Sequence, residues 1–469
     1  MRLDLLMDEV KGLEIHGSWG DTDRAREVNS LAHRPEDWKE GTLFVDFRKG
    51  PLPKGALVLT SEHRSDHDGL QLLCHDLPEV SRKLSLLIHR EAIQALDLIA
   101  VTGTNGKSSV VHFAQQLLSS LGHPALALGT LGLNGHGLHR ETPNTTNLPL
   151  DLHPLLSEVH RSKGKTVFME ASSIGLREDR LKGLTFKSTG WTNLTQDHLD
   201  VHGTMESYWQ DKRRLLSLSQ GVVVYNVDDA YTRRLCGEDK CLSYSISDSG
   251  ADYHFKEITA HSEGYDLEFM ALGQSHRAQV PFMGRHNLSN LLCAMGLVHS
   301  VGVSASQMSP ALPNLSLPRG RFERAETRAL GRTYIDYAHS PDGLERTLRA
   351  AKEHFPKQRL KVLFGCGGDR DSAKRAPMGQ IASKLADEVW LTSDNSRSEP
   401  TSSIFKNIVA GMGSAPHKQF EDREEAIHDA LASMKENDVL MICGKGHETE
   451  QILGDTTLTM DEFSCCKNF

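Results

Sequence analysis

Gly103, Gly106, Lys107 and Ser108 punctuate the run V-T-G-T-N-G-K-S-S at residues 101–109, and their types suit a phosphate cradle. Glycines let backbone N–H groups turn toward an anion with no Cβ in the way. Thr104 and Asn105 fill the loop between them, Lys107 offers a point charge to outer phosphates, and the Ser108 hydroxyl can reach a magnesium ion. The common phosphate loop is G-x-x-x-x-G-K-[ST], yet Val101 stands where its first glycine belongs. The flanks nevertheless predict the right supports. Asp97–Val101 is the short apolar run of a buried parallel strand, and 109–122 carries apolar residues at helical spacing and stops at Gly122. The loop therefore opens onto a helix N-terminus, where phosphate is favoured.

Further along, Glu170 ends the apolar run Val167, Phe168, Met169, the place from which a carboxylate next to a phosphate loop orients magnesium. His198 and His202 lie four apart, but no H-E-x-x-H pattern accompanies them, so a magnesium-nucleotide role for His198 is favoured over zinc. T-P-N-T-T-N and A-S-S-I-G-L-R-E-D-R are hydroxyl-rich connections able to present donors to an anionic substrate, with Arg180 as a carboxylate partner. In the last third, G-C-G-G-D-R-D, K-R-A-P-M-G, S-D-N-S-R-S-E-P and G-K-G-H-E-T-E all fall at expected strand ends. Arg375, Arg397 and Glu448 among them suit a zwitterion, guanidinium for carboxylate and carboxylate for ammonium.

These residues need a scaffold of α/β type. The 469 residues exceed one ordinary core and point to three domains. Residues 1–90 form a small α/β domain with strands in G-T-L-F-V-D-F and G-A-L-V-L-T. Residues 91–317 alternate strands and helices as a P-loop ATPase-like parallel sheet. A proline-punctuated stretch, S-P-A-L-P-N-L-S-L-P-R-G-R-F-E, links this to a Rossmann-like domain over 318–469. A net charge of -9 argues against nucleic acid or an anionic membrane as the main partner. No apolar segment approaches a membrane span and the acid-interrupted start is no signal peptide, so a cytoplasmic protein without membrane insertion is expected. The eight cysteines show no C-x-x-C pairing and are expected to be reduced thiols.

Taken in order, G-T-N-G-K-S-S, T-P-N-T-T, E-A-S-S-I-G-L, N-L-T-Q-D-H-L-D-V-H-G, Y-W-Q-D-K-R-R-L, G-R-H-N-L-S-N-L-L-C-A-M-G, P-R-G-R-F-E, D-Y-A-H-S-P-D-G-L-E, F-G-C-G-G-D-R-D and G-K-G-H-E closely resemble the Mur ligases. The resemblance spans about 97–455 and is strongest to the UDP-N-acetylmuramoyl-tripeptide synthetases, the MurE type. That family uses the T-G-T-N-G-K loop, which accounts for Val101.

The resemblance implies an ATP- and magnesium-dependent amide ligase, active as a monomer, that adds meso-diaminopimelate to UDP-MurNAc-L-Ala-D-Glu through an acyl phosphate. Alternatives are addition of L-lysine, another acid acceptor, or a non-catalytic nucleotide-binding regulator. By position, Gly103, Thr104, Asn105, Gly106, Lys107 and Ser108 would bind phosphate, while Ser108, Glu170 and His198 would serve magnesium. Lys212 matches a lysine that relatives carbamylate, making it an anionic aid to a second magnesium. Asn287, Arg321, Asp336 and His339 would hold the adenosine end of ATP. Thr145, Thr146, Ser173 and Arg180 would face the muramoyl dipeptide. Asp394, Asn395, Ser396 and Arg397 replace the family's D-N-P-R, keeping the arginine that clamps the distal carboxylate of diaminopimelate. Arg375, Gly444 and Glu448 would complete that pocket. Two departures stand out: Asn29, Ser30 and Leu31 replace a D-S-R pattern expected to bind the UDP moiety, and Ile174 replaces the histidine of S-S-H-G-L.

Overall fold

The computed structural model describes residues 1–10, 13–16, 25–47, 50–67, 69–237 and 240–469, with the backbone alone at position 200. They divide into two compact units, 1–225 with 229–242, and 226–228 with 243–469.

The first unit holds two sheets. The N-terminal one comprises β1 (Glu14–His16), β2 (Ser30–Ala32), β3 (Thr42–Val45), β4 (Leu57–Thr60) and β5 (Gln71–Leu73), in the order β1-β5-β4-β3-β2. All neighbours are parallel except β1 with β5. Side chains alternate across a strand. Accordingly Leu43, Val45, Leu57 and Leu59 join one core with Leu77 and Leu84 of the helix Leu77–Gln94, whereas Phe44 and Val58 join another with Ala32 and Ala56.

The second sheet of this unit runs β12-β11-β6-β10-β7-β8-β9. Its strands are β6 (Asp97–Thr102), β7 (Ala125–Gly129), β8 (Gly132–Gly135), β9 (Leu138–Arg140), β10 (Thr166–Glu170), β11 (Phe186–Trp191) and β12 (Ser219–Asn226). The five strands β12, β11, β6, β10 and β7 are parallel, as the apolar runs of β6 and β10 predicted, and β8 and β9 add antiparallel edges. Register matters here: Glu170 pairs with Val101 and Trp191 with Thr102, so the ends of β10 and β11 flank the loop after β6. The helix Leu77–Gln94, which contains position 90, is tied to the helix Pro149–Arg161 by His89 with Ser157 at 2.7 Å and His153 with Ser85 at 3.0 Å.

In the second unit, Tyr244 and Ser245 of β13 (Cys241–Ser245) pair parallel with β14 (Tyr253–His261). An antiparallel ribbon then follows through β15 (Gly264–Ala271) and β16 (Gln274–Val280). Strand and helix alternation was expected through this region, and the ribbon departs from it. The reason lies in half-buried strands: β15 and β16 alternate inward and outward residues, which lowers their mean apolarity. Leu272 and Gly273, both at positive φ, make the two-residue turn between them.

The C-terminal sheet of this unit is ordered β17-β18-β22-β19-β20-β21, from β17 (Glu323–Arg324), β18 (Arg332–Asp336), β19 (Arg359–Phe364), β20 (Glu388–Thr392), β21 (His417–Phe420) and β22 (Asp438–Cys443). All but β17 are parallel. Both faces are covered, Val362 and Phe364 lying in one core and Leu363, Leu440 and Ile442 in the other. In such a sheet the loops at the carboxyl ends of the strands carry the chemistry. A hairpin of β23 (Glu450–Leu453) and β24 (Thr456–Thr459) precedes the last helix, Glu462–Asn468. Among the described residues no single helix is long and apolar enough to cross a membrane.

Candidate active site

The loop after β6 is laced to the end of β11. Thr104 N donates to Asn193 O at 2.8 Å and Asn105 N to Asn193 Oδ1 at 3.0 Å. Thr192 Oγ1 and Asn193 Nδ2 both donate to Asn105 O, at 2.6 and 3.1 Å. A Cβ at Gly103, whose φ is +146°, would lie 1.8 Å from Thr192 Oγ1, so only glycine fits this turn. Gly106, at φ +90°, then caps the helix Lys107–Ser120 in the left-handed region. The chain thus makes its opening turn at Gly103, and Val101 stays in the strand. Lys107 Nζ donates to Gly103 O and Thr104 O at 3.0 and 2.9 Å, folded over the loop it serves.

Glu170 is buried beside this loop. Its Oε1 accepts from Ser108 Oγ and from Thr130 N, each at 2.9 Å. Gly129 leaves it room, since a Cβ there would come within 2.1 Å of Oε1. Thr130 Oγ1 is also 2.9 Å from Thr145 Oγ1. Thr146 Oγ1 donates to Glu170 O and accepts from Ser172 N, both at 2.9 Å, while Arg180 Nη1 donates to Thr146 O at 2.6 Å. Glu178 takes the other side of the Arg180 fork at 2.7 Å. The two hydroxyl-rich connections therefore meet around Glu170.

His202 is buried, with Nδ1 2.8 Å from Asp211 and Nε2 3.0 Å from Ser173 Oγ, and its ring stacks on Tyr208. Both ring nitrogens are committed, which removes it from any zinc pair with His198. His198 stands at φ 51° before a short helix, half exposed and 3.5 Å from Asp197. Among the described residues no three histidine, cysteine or carboxylate groups gather as a metal cluster. The hydroxyl of Ser108 against the carboxylate of Glu170 is nonetheless a hard-oxygen pair of the kind magnesium takes, since that ion keeps several waters and binds through one or two protein oxygens plus phosphate.

Lys212 has the character of a helix-surface lysine by sequence alone, yet it is 2 % exposed. Its Nζ donates to Gly103 O at 2.8 Å and lies 4.6 Å over the Tyr208 ring. Burial, and then the charge of Lys107, hold its pKa well below the usual lysine value.

On the second unit, Asp336 is buried at the end of β18 and accepts from Phe322 N, Ala338 N and Thr347 Oγ1 at 2.7 to 2.9 Å. Burial raises its pKa, against the pull of Arg321 and these bonds. Arg321 lays its guanidinium over Tyr337 at 4.6 Å, and His339 Nδ1 is 2.9 Å from Tyr337 O, so Arg321, Asp336 and His339 share one loop system. Asn287, in the helix Arg285–Ser300, donates to Met283 O at 2.8 Å.

A second cluster crowns β19, β20 and β22. Arg397, at φ 51°, donates from Nη1 to Gly368 O and Asn395 O at 2.9 and 3.2 Å. Asn395 reaches Glu448 Oε2 at 3.4 Å, and Tyr337 OH donates to Glu448 Oε1 at 3.3 Å. Asp394 is buried with a Cβ-less Gly444 against it; burial works to raise its pKa, but Arg423 and Lys445 hold it below the ordinary value. Arg375 is committed elsewhere: its fork is filled by Glu399 at 2.6 and 2.7 Å, with Gly367 O accepting at 3.1 Å. It anchors the G-C-G-G loop to Glu399.

Residues 101–298 match the Mur ligase middle domain and residues 320–446 the domain described as Mur ligase, glutamate ligase domain. The chain belongs to the Mur ligase family. Across 468 residues this Mur ligase is 34% identical to the UDP-N-acetylmuramoyl-L-alanyl-D-glutamate--2,6-diaminopimelate ligase of Agrobacterium fabrum, covering 98% of this chain and 94% of that one. It is 39% identical over 366 residues to the Pseudomonas aeruginosa protein of the same name, 77% and 75% of the two chains. A solved structure of a ligase of that name, 28% identical, superposes over 96% of both chains with a TM-score of 0.64. Folylpolyglutamate synthase from Mycobacterium tuberculosis, 16% identical with a TM-score of 0.64 over 77% of this chain and 91% of that one, shares the fold. The three-domain α/β Mur ligase architecture is thereby established.

Several groups of this Mur ligase escaped the sequence reading. A cavity of about 320 Å³ in the first unit is lined by His33, Arg34, Thr142, Asn147 and Asp151, just past Asn29 and Ser30. Ser30 itself bonds Thr42 Oγ1 at 3.1 Å, and Asn29 N donates to Gly41 O at 2.9 Å. Lys445, fully buried, donates to Glu448 Oε2 at 3.1 Å and Asn395 Oδ1 at 3.3 Å. The G-K-G-H-E motif contains it, but a lysine between two glycines carries no sign of burial. Of the two residues that lace the phosphate loop, Asn193 opens the N-L-T-Q-D-H-L-D-V-H-G motif and Thr192 precedes it, and the sequence reading gives neither a role.

Proposed function

We propose that this Mur ligase spends ATP to join meso-diaminopimelate to the D-glutamate γ-carboxyl of UDP-MurNAc-L-Ala-D-Glu, in the synthesis of peptidoglycan precursors. The supporting observation is the Glu170–Ser108 pair set level with a laced phosphate loop, in a chain 34–39% identical to ligases bearing that name. An ionised carboxylate is a poor electrophile. Phosphorylating it makes an acyl phosphate with a good leaving group, which the incoming amine displaces to form the amide.

Catalysis is then chiefly alignment and charge neutralisation. Gly103 and Gly106 would turn backbone donors toward the phosphates in a loop whose shape Thr104 and Asn105 fix through their N–H bonds to Asn193, and Lys107 would neutralise the outer phosphates. Ser108 and Glu170 would hold magnesium, with His198 beside them, and bound magnesium would supply charge stabilisation on the transferring phosphoryl group. Burial lowers the pKa of Lys212 and so favours the neutral amine, the form of lysine that adds carbon dioxide; as a carbamate it would aid a second ion. Thr145, Thr146, Ser173 and Arg180 would face the dipeptide, with Asn29 and Ser30 on the UDP side. Asn287, Arg321, Asp336 and His339 would hold adenosine. Asp394, Asn395, Arg397, Gly444 and Glu448, with Arg375 behind them, would recognise the diamino acid, the guanidinium of Arg397 meeting a distal carboxylate that lysine lacks. The chain would act in the cytoplasm as a monomer.

Phosphate release in the presence of ATP, magnesium and the muramoyl dipeptide nucleotide tests this reading. Meso-diaminopimelate is expected to stimulate release at least tenfold more than L-lysine at equal concentration. Faster turnover with L-lysine, or none with either amine, refutes it.

A further inference from the structure

Arg423, the first residue of the helix Arg423–Ala432, is fully buried at the carboxyl edge of the C-terminal sheet. Its Nη1 donates to Ser393 O at 2.9 Å, at the end of β20, and its Nη2 to Cys443 O at 2.8 Å, at the end of β22. These two strands are not neighbours, because β19 lies between them. The guanidinium thus spans the sheet edge and ties together the residues just before Asp394–Arg397 and just before Gly444–Glu448. Two further protons go to Glu462 Oε1, from Nε at 2.8 Å and Nη2 at 2.6 Å, and Glu462 is itself fully buried at the start of the last helix. Gln451 closes the frame by donating to Ser393 Oγ at 2.8 Å and Asp394 O at 3.0 Å.

We propose that Arg423 and Glu462 are positioning residues for amino-acid specificity: a buried ion pair, supplied by the last helix, that sets the spacing of the two loops reading the incoming diamino acid. The inference rests on the proposed role of those loops. A buried pair is costly to assemble and seldom adds net stability over apolar side chains of the same volume. What it supplies is direction. The planar fork of Arg423 makes four bonds at fixed angles to two carbonyls and a carboxylate, one more than a lysine ammonium can donate and none of which an apolar residue can make.

The test uses the full chain and steady-state KM values for each of the three substrates. Arg423→Lys and the isosteric Glu462→Gln are each expected to raise KM for diaminopimelate at least tenfold, leaving KM for ATP and for the muramoyl dipeptide nucleotide within twofold. The double variant Arg423→Met with Glu462→Leu, which replaces the pair by apolar groups, is expected to melt near the wild-type temperature while keeping the raised KM. The inference is overturned if KM for the amine stays within twofold in either folded single variant. It is equally overturned if all three KM values rise together, or if the double variant regains normal KM along with its melting temperature. If the wild type proves to accept a different diamino acid, the substrate assignment has failed, and the same comparison of KM values with the accepted amine still decides the role of the pair.

Discussion

Lys212 shows how one side chain can be read twice. In the sequence it is the cation of Y-W-Q-D-K-R-R-L, flanked by charge, while in the fold it is buried against Gly103 O and the Tyr208 ring. Burial and the neighbouring Lys107 depress its pKa in the folded chain, whereas an unfolded lysine titrates near 10.4. Between those two values the unfolded chain binds one more proton, so stability rises as pH climbs toward about 10.4 and falls as pH drops through the folded value. Lys212→Met abolishes that contribution. Urea unfolding at about pH 7.5 and pH 9.5 is expected to show the wild type gaining on the variant at the higher pH, by up to about 1.4 kcal/mol per pH unit. Parallel behaviour of the two proteins would mean that Lys212 stays charged when folded.

Among the elements, the helices Leu77–Gln94 and Pro149–Arg161 carry the clearest acid sensitivity. Burial pushes His153 down to about 3 and His89 down to about 4, with nearby charge adding to both. In the unfolded chain both titrate near 6.5. Their contribution is therefore intact above about pH 6.5 and is lost as pH falls toward the folded values, at up to about 1.4 kcal/mol per pH unit for each. A variant with His89→Gln and His153→Gln is expected to lose less stability than wild type between pH 6.5 and pH 4.5, as measured by thermal or urea unfolding. An equal loss would place the acid response elsewhere. Legibility in the sequence was uneven. The apolar runs of β6, β10, β19 and β22 could be read directly, because a strand buried on both faces advertises itself. The ribbon of β14, β15 and β16 could not, since one solvated face dilutes the signal. Site residues followed the same rule. Loop glycines and Lys107 declare their chemistry by spacing, and Lys445 at least falls within G-K-G-H-E, while Arg423 and Glu462 pair with each other and with carbonyls distant in sequence, and no local pattern marks them.

For the molecule as a whole, the residues proposed to activate the acid and those proposed to recognise the amine fall on different compact units: Lys107, Ser108 and Glu170 on the first, Asn395, Arg397 and Glu448 on the second. Activation of the carboxyl and capture by the amine are separable events chemically, so each half can be followed by its own product. With ATP, magnesium and the muramoyl dipeptide nucleotide but no amine, rapid quench should give a burst of ADP of at most one equivalent per chain, because the acyl phosphate has no acceptor. Adding diaminopimelate should convert that burst to steady turnover, with amide and phosphate appearing together. Arg397→Ala should keep the burst and lose at least tenfold in the second phase at subsaturating diaminopimelate, while Lys107→Ala should lose the burst itself by about 10²–10³ in rate, the usual cost of removing one preorganised charge partner. Continuous ADP release without any amine would show that water reaches the activated carboxyl as readily as the acceptor does, and the division of labour between the two sets of residues would have to be abandoned.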